Sequence, residues 1–196
     1  VTTLLNNALL FLIKSILDLL TLAFLLRFYF QLTRVSFQNR AAQVIVTLTN
    51  FAVKPVRKII PSFGKIDIST LLLAYISQLL LAVCTLWINE FPLFIVGSGI
   101  WLTILTIAAI STISLSITIF LYAVLIQALL SWVNPHTPIA PILQNLTQPI
   151  LKFLRKFIPA AGNIDLTPLI FIIAAQLFLT TILIPLENNL FRSIIS

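Results

Sequence analysis

Long stretches of this chain carry no charge. Residues 68–89, 91–151 and 166–186 contain no Asp, Glu, Lys or Arg, and a first apolar stretch from about residue 5 to 32 is interrupted only by Lys14, Asp18 and Arg27. About 20 apolar residues in a helix cross roughly 30 Å of hydrocarbon. The pattern therefore predicts four transmembrane helices, over about 5–32, 68–89, 101–133 and 166–186. Tyr29, Trp87, Trp101 and Trp132 fall near the predicted ends, where interfacial aromatic belts form. Residues 93–133 fit one long helix, or a short interfacial piece followed by a span. Gly97, Ser98 and Gly99 favour a break near the start.

The connection after the first span has a different period. Gln43, Thr47, Asn50, Lys54, Arg57 and Lys58 form one polar stripe on a helix. Val44, Ile45, Leu48, Ala52, Val56, Ile59 and Ile60 occupy another face. A helix of this kind, basic on its polar side, lies in the membrane interface. Asn145, Gln148, Lys152, Arg155 and Lys156 repeat the polar stripe after the third span. Pro55 and Pro149 are expected to kink or restart these helices.

The two connections are copies of one another. Lys54, Arg57, Lys58, Ile60, Pro61, Gly64, Ile66 and Asp67 recur as Lys152, Arg155, Lys156, Ile158, Pro159, Gly162, Ile164 and Asp165. Gln78 and Gln176 coincide in the spans that follow. Chance matches in apolar sequence would be Leu and Ile, not Lys, Arg, Pro, Gly and Asp, so the chain is duplicated. Two spans separate the copies, which makes the repeats parallel about an axis along the membrane normal. The expected fold is an all-α membrane protein in tandem parallel repeat, each copy reading span, interfacial amphipathic helix, span. Residues 1–92 form the first copy and 93–196 the second. Within the motif, Pro61 and Pro159 stop the interfacial helix, and Gly64 and Gly162 permit the turn back into the bilayer. Asp67 with Ser69, and Asp165 with Thr167, are placed to cap the next span, at about 1 kcal/mol per cap. The neighbouring Arg and Lys can also pair with these carboxylates.

Composition sharpens the picture. Of 196 residues, 60% are apolar and 9% charged, against roughly a quarter charged in a soluble domain. The mean hydropathy is +1.12. A soluble globular enzyme and intrinsic disorder are both excluded. The net charge of +7 sits mainly in the connections, with Arg34, Arg40, Lys54, Arg57, Lys58 and Lys65 in one and Lys152, Arg155 and Lys156 in the other. The positive-inside rule puts both in the cytoplasm and both termini on the opposite, periplasmic side. The first ten residues lack a positive n-region, so no cleavable signal peptide is expected. The charge implies anionic lipid headgroups as partners rather than nucleic acid.

The string Arg-Lys-x-Ile-Pro-x-x-Gly-x-Ile-Asp-x-Ser/Thr, present before two spans, resembles the YggT family of integral membrane proteins. Leu26-Arg27-Phe28-Tyr29 and Ser131-Trp132-Val133 resemble family patterns at the ends of the first spans. Thr70 departs from the Pro168 of the second copy, and Lys65 and Asn163 stand where a second Gly is common. The resemblance implies a bacterial inner-membrane protein of the two-copy form. Bacterial members are associated with osmotic or ionic stress tolerance and with envelope or division processes, and plastid relatives with assembly of the covalent haem of a b-type cytochrome. It carries over no catalytic residue.

Candidate chemistry is sparse. Lys14 and Asp18 lie four apart in the first span, as an ion or proton site or as an i,i+4 pair whose Lys snorkels outward. Gln78, Gln127 and Gln176 line a pathway or hydrogen-bond between helices. Lys54, Arg57, Lys58, Lys152, Arg155 and Lys156 contact anionic lipid, or dock onto another membrane protein or a second copy. His136, the one histidine, has no second ligand nearby. Cys84 reads as a small thiol in an apolar run and excludes an intrachain disulfide. No catalytic set, phosphate-binding loop or metal spacing is present. The expectation is a non-enzymatic protein without cofactor that organises or assists other membrane components. A small oligomeric channel or transport regulator, and a cytochrome assembly factor, are the alternatives.

Overall fold

A computed structural model describes residues 2–62, 64, 66–92, 97, 99–134, 137–157 and 165–195. It is all helix, with no strand among the described residues. In order these are α1 (Thr2–Leu32), α2 (Arg40–Ile59), α3 (Ile68–Ile88), α4 (Gly99–Val133), α5 (Ala140–Leu154), α6 (Thr167–Phe178), a π turn (Leu179–Leu183) and α7 (Ile184–Ile195). Four rods are long and apolar enough to span a membrane: α1, α3, α4, and α6 through α7 as one piece. The 35 residues of α4 reach about 52 Å at 1.5 Å per residue, so it must tilt or protrude.

α2 and α5 lie at the same end of the bundle. The Asn39 side-chain amide, just before α2, donates to the Pro138 carbonyl, just before α5, at 2.7 Å. Around this junction Phe24 and Phe30 of α1, Val53 of α2, Ala74 of α3, Ile119 of α4 and Leu146 of α5 form one buried cluster. The far end is closed by a second cluster, in which Leu86, Ile104 and Ile107 meet Ile194. In lipid, close packing depends on small residues, and α3 presents Thr70, Ala74, Ser77 and Ala82, all buried. Phe11, Leu102 and Leu177 are among the many large apolar side chains that face outward, as a lipid-exposed surface requires.

Several expectations are corrected. α2 and α5 continue through Pro55 and Pro149 without restarting. Each proline removes one backbone hydrogen bond, but buried Val53 on one helix and buried Leu146 and Leu151 on the other hold the rod against the bundle. The last span does not stop at residue 186 but continues to Ile195. Pro185 has no N–H to give, and the helix widens before it: the Ile184 N–H bonds Leu179 O, five residues back. Glu187 is thereby carried inside the final rod. At its other end, α4 begins at Gly99, where the break was expected. Residues 93–96 and Ser98, which would form the interfacial piece, lie outside the described residues, as do Lys65, Pro135, His136, Pro159, Gly162 and Asn163. Cys84 is only partly buried.

Candidate functional site

The motif acts as a clasp. α2 ends just before Pro61, and Gly64 turns the chain at φ +59, a backbone region that glycine enters without strain. This brings Asp67 back to α2, where its Oδ2 accepts from Arg57 Nη2. Asp67 makes no capping hydrogen bond, contrary to expectation, because its carboxylate is turned to Arg57. Ser69 does not cap either. Its hydroxyl donates to the Ile60 carbonyl at 2.5 Å, tying the end of α2 to the start of α3. Asp67, Ser69 and Thr70 are fully buried.

The second copy is looser. Arg155 Nη2 pairs with Asp165 Oδ2 at 2.7 Å, with both side chains about half exposed. Here the expected cap does form: Asp165 Oδ1 accepts from the Thr167 N–H at 3.0 Å. The Thr167 hydroxyl, its backbone N–H and the Arg155 guanidinium hold the Asp165 carboxyl below its usual range, against some opposition from burial. A depressed carboxyl stabilises the fold above its unfolded pKa, and that contribution fades as pH falls through the folded value. So exposed a pair is worth at most about 1 kcal/mol.

Arg27, which the sequence singled out only as part of a pattern, is nearly buried at 6% exposure. Its Nη1 donates to Thr49 Oγ1 (2.7 Å), Asn50 Oδ1 (3.0 Å) and the Val46 carbonyl (3.2 Å). Arg57 Nη2 also donates to Gln31 Oε1 at 3.0 Å. The polar stripe of α2 is thus divided. Asn50 and Arg57 turn inward, while Gln43, Thr47, Lys54 and Lys58 stay exposed. Of the apolar face, Val44, Leu48 and Ile59 face outward, as a helix resting in lipid requires. Lys152, Arg155 and Lys156 are exposed in the second copy.

A second polar region lies inside the bundle. Gln78, 3% exposed, gives its side-chain amide protons to Asp18 Oδ1 and Thr21 Oγ1, both at 3.0 Å. The Thr21 hydroxyl donates onward to the Leu17 carbonyl at 2.8 Å. Asp18 is therefore held by α3 and not by Lys14. The i,i+4 ion pair is absent, since the pairs among the described residues are Arg57–Asp67 and Arg155–Asp165. Across the bundle Ser111 Oγ donates to Glu187 Oε1 at 2.8 Å. These groups line a cavity of about 420 Å³ that includes Lys14, Asp18, Gln78, Ser111, Ser114 and Glu187. The buried Ser114 hydroxyl has no hydrogen-bond partner. Each repeat thus contributes one carboxylate to this cavity. Gln127 accepts from the Thr147 hydroxyl, whereas Gln176 is exposed on the outer face.

The sequence profile of the CCB3/YggT family matches residues 6–88 and 106–186, one match per repeat. This chain belongs to the CCB3/YggT family. It is 34% identical over 168 residues to the uncharacterised protein YggT of Escherichia coli K12, covering 85% of each. It is likewise 34% identical over 177 residues to an uncharacterised protein of Pseudomonas aeruginosa, covering 88% of this chain and 87% of the other. A Haemophilus influenzae protein, also uncharacterised, is 32% identical over 179 residues. No solved structure matches.

Within this YggT-family chain the repeats have diverged at equivalent places. Thr49 and Thr147 hold the same position after each first span, and both are fully buried. Thr49 is bonded by Arg27 and Thr147 by Gln127. A guanidinium in one copy therefore answers to a neutral amide in the other. Arg27, Gln31 and Thr49 in the first region, and Thr21, Ser111, Ser114 and Glu187 in the second, went unrecognised as site residues. Their neighbours in sequence do not single them out, and only their meeting across helices marks them.

Proposed function

We propose that this YggT-family chain is a non-enzymatic protein of the bacterial inner membrane that organises or assists other membrane components. On this reading both basic connections rest on the cytoplasmic leaflet and the termini are periplasmic. Osmotic or ionic stress tolerance and envelope or division processes are the settings it fits. One observation carries the reading: at one end of the bundle, Lys54, Lys58, Lys152 and Lys156 stand exposed beside exposed Phe51, Ile59, Phe153 and Phe157. The clasps fix these faces to the spans. A lysine near an anionic membrane surface contributes about 1 kcal/mol, and the adjoining apolar side chains add buried area in lipid or against a partner.

Crosslinking with mass spectrometry in native membranes tests it. The wild-type chain should give reproducible crosslinks to another membrane protein or to itself through residues near 54–58 and 152–156. With a photo-crosslinker placed at exposed Phe51 or Phe153, so that the reaction needs no lysine amine, replacing Lys54, Lys58, Lys152 and Lys156 together by Gln should reduce the yield several-fold. Recovery of free chain alone would end the reading. Its geometry has a separate check. With Cys84 replaced by Ser, Lys58→Cys and Lys156→Cys should both react with an impermeant maleimide from the cytoplasmic side only. Labelling from opposite sides would dismantle the parallel arrangement.

The cavity between Asp18 and Glu187 favours a second reading, a small oligomeric ion channel or transport regulator. Intramembrane carboxylates around a polar cavity are expensive to keep and mark ion pathways. Four rods enclose little space, so a complete pathway would require more than one copy.

A further inference from the structure

At the clasped end of the first repeat an open cavity of about 380 Å³ is lined by Arg27, Gln31, Gln43, Thr47 and Arg57 among others. Its counterpart in the second repeat is divided: a space of about 210 Å³ lined by Gln127, Ser131 and Gln144 adjoins one of about 680 Å³ that shares Gln127 and Ser131 and adds Arg155 with its partner Asp165, so one arginine there faces one carboxylate. The two places share a fold position and differ in charge.

The charge at the first cavity does not balance. Arg27 gives its hydrogen bonds to neutral acceptors, all through Nη1. Arg57 and Asp67 pair through one nitrogen and one oxygen only. Arg57 Nε and Asp67 Oδ1 are buried without hydrogen-bond partners. Two guanidiniums against one carboxylate leave one positive charge in excess at this open cavity, with Arg27 itself 6% exposed, so an arriving anion gains charge-assisted hydrogen bonds there. Guanidinium forks match the oxygens of phosphate, and the Gln43 side-chain amide offers a further neutral donor. Arg27 lies five residues before the end of α1 at Leu32, about 8 Å inward at 1.5 Å per residue.

We infer that this cavity binds a phosphate-bearing anion, with Arg27 and Arg57 as its cationic ligands, and that the second repeat lacks the site because Gln127 stands there where the first has Arg27. A phospholipid headgroup and free phosphate share this chemistry. The site is internal to the first repeat, so it stands or falls separately from the exposed lysines.

The experiment uses the full chain as wild type, Arg27→Gln, Gln43→Glu and, as a surface control, Lys152→Gln. Arg27→Gln installs the residue the second repeat already uses, and Gln43→Glu adds a repelling carboxylate at an exposed position of the same cavity. Circular dichroism verifies that each is folded. One arm measures phosphatidylglycerol retained from mixed nanodiscs by native mass spectrometry. The other titrates inorganic phosphate into lipid-free detergent solution and follows thermal stability. The wild type and Lys152→Gln should bind, and both cavity variants should weaken binding about tenfold or more, the scale of one lost charge-assisted hydrogen bond. An effect confined to phosphatidylglycerol identifies a lipid, and one confined to phosphate a free anion. If the wild type binds neither probe, or the folded cavity variants bind both as the wild type does, the inference is overturned. Should Arg27→Gln fail to fold, Gln43→Glu decides by the same criterion.

Discussion

Replacing Asp67 by Ala should destabilise the chain by about 2–4 kcal/mol, while Asp165→Ala should cost less than about 1 kcal/mol. The two residues occupy the same motif position, and local sequence does not distinguish them. Surroundings do. Asp67 is fully buried and its partner Arg57 is about one-third exposed, whereas Asp165 and Arg155 are 41% and 51% exposed. Water takes over the solvation of Arg155 once its partner is gone. Around Arg57 it cannot do so fully, and Arg27 is left without the only nearby carboxylate of the cluster. Reversible unfolding in mixed detergent micelles reads the difference. Replacing Arg57 and Asp67 together by Leu should recover part of the loss, because the orphaned charge disappears with its partner. Equal effects of Asp67→Ala and Asp165→Ala would show that the two clasps are energetically alike.

The spans were legible because hydrocarbon imposes a simple rule: a charge inside it is costly, so uncharged runs mark helices. The duplication was equally legible, since Lys, Arg, Pro, Gly and Asp do not recur in register by accident. Both signals concern one helix or one local string at a time. Where they failed, the deciding partner was distant or the local signal had more than one outcome. Thr49 lies on α2, and helical periodicity alone cannot say that its hydroxyl meets Arg27 of α1. An Asp before a helix can cap it or reach a neighbouring Arg, and the turn at Gly64 decides for Asp67.

The last span shows a different failure. Its expected end comes from the charge at Glu187, which closes the uncharged run 166–186, and Pro185 has no N–H to continue the helix ladder. The π turn removes the conflict by changing the hydrogen-bond register before the proline, so α7 continues and brings Glu187 to Ser111. No window of sequence around residue 187 contains Ser111. The cavity shared by the two repeats was hidden for the same reason: its carboxylates, Asp18 and Glu187, belong to the first and last rods.

That cavity yields the second large effect. Gln78→Leu should destabilise by about 1–2 kcal/mol, near the upper end for hydrogen bonds within membranes. One buried amide serves both Asp18 and Thr21, and leucine of similar volume leaves a carboxylate and a hydroxyl without their donor. Asp18→Asn should be nearly neutral for stability, within about 0.5 kcal/mol, because an amide oxygen still accepts from Gln78 while the charge is gone. The pair of variants therefore separates structure from transport. Gln78→Leu should lower the yield and thermal stability of folded protein. Asp18→Asn should leave both intact and, if the carboxylate serves ion passage, abolish cation flux in reconstituted liposomes. Unchanged flux in Asp18→Asn would remove this carboxylate from any pathway, and a wild-type chain that passes no ion at any potential would leave the Asp18–Gln78 contact a purely structural seam between α1 and α3.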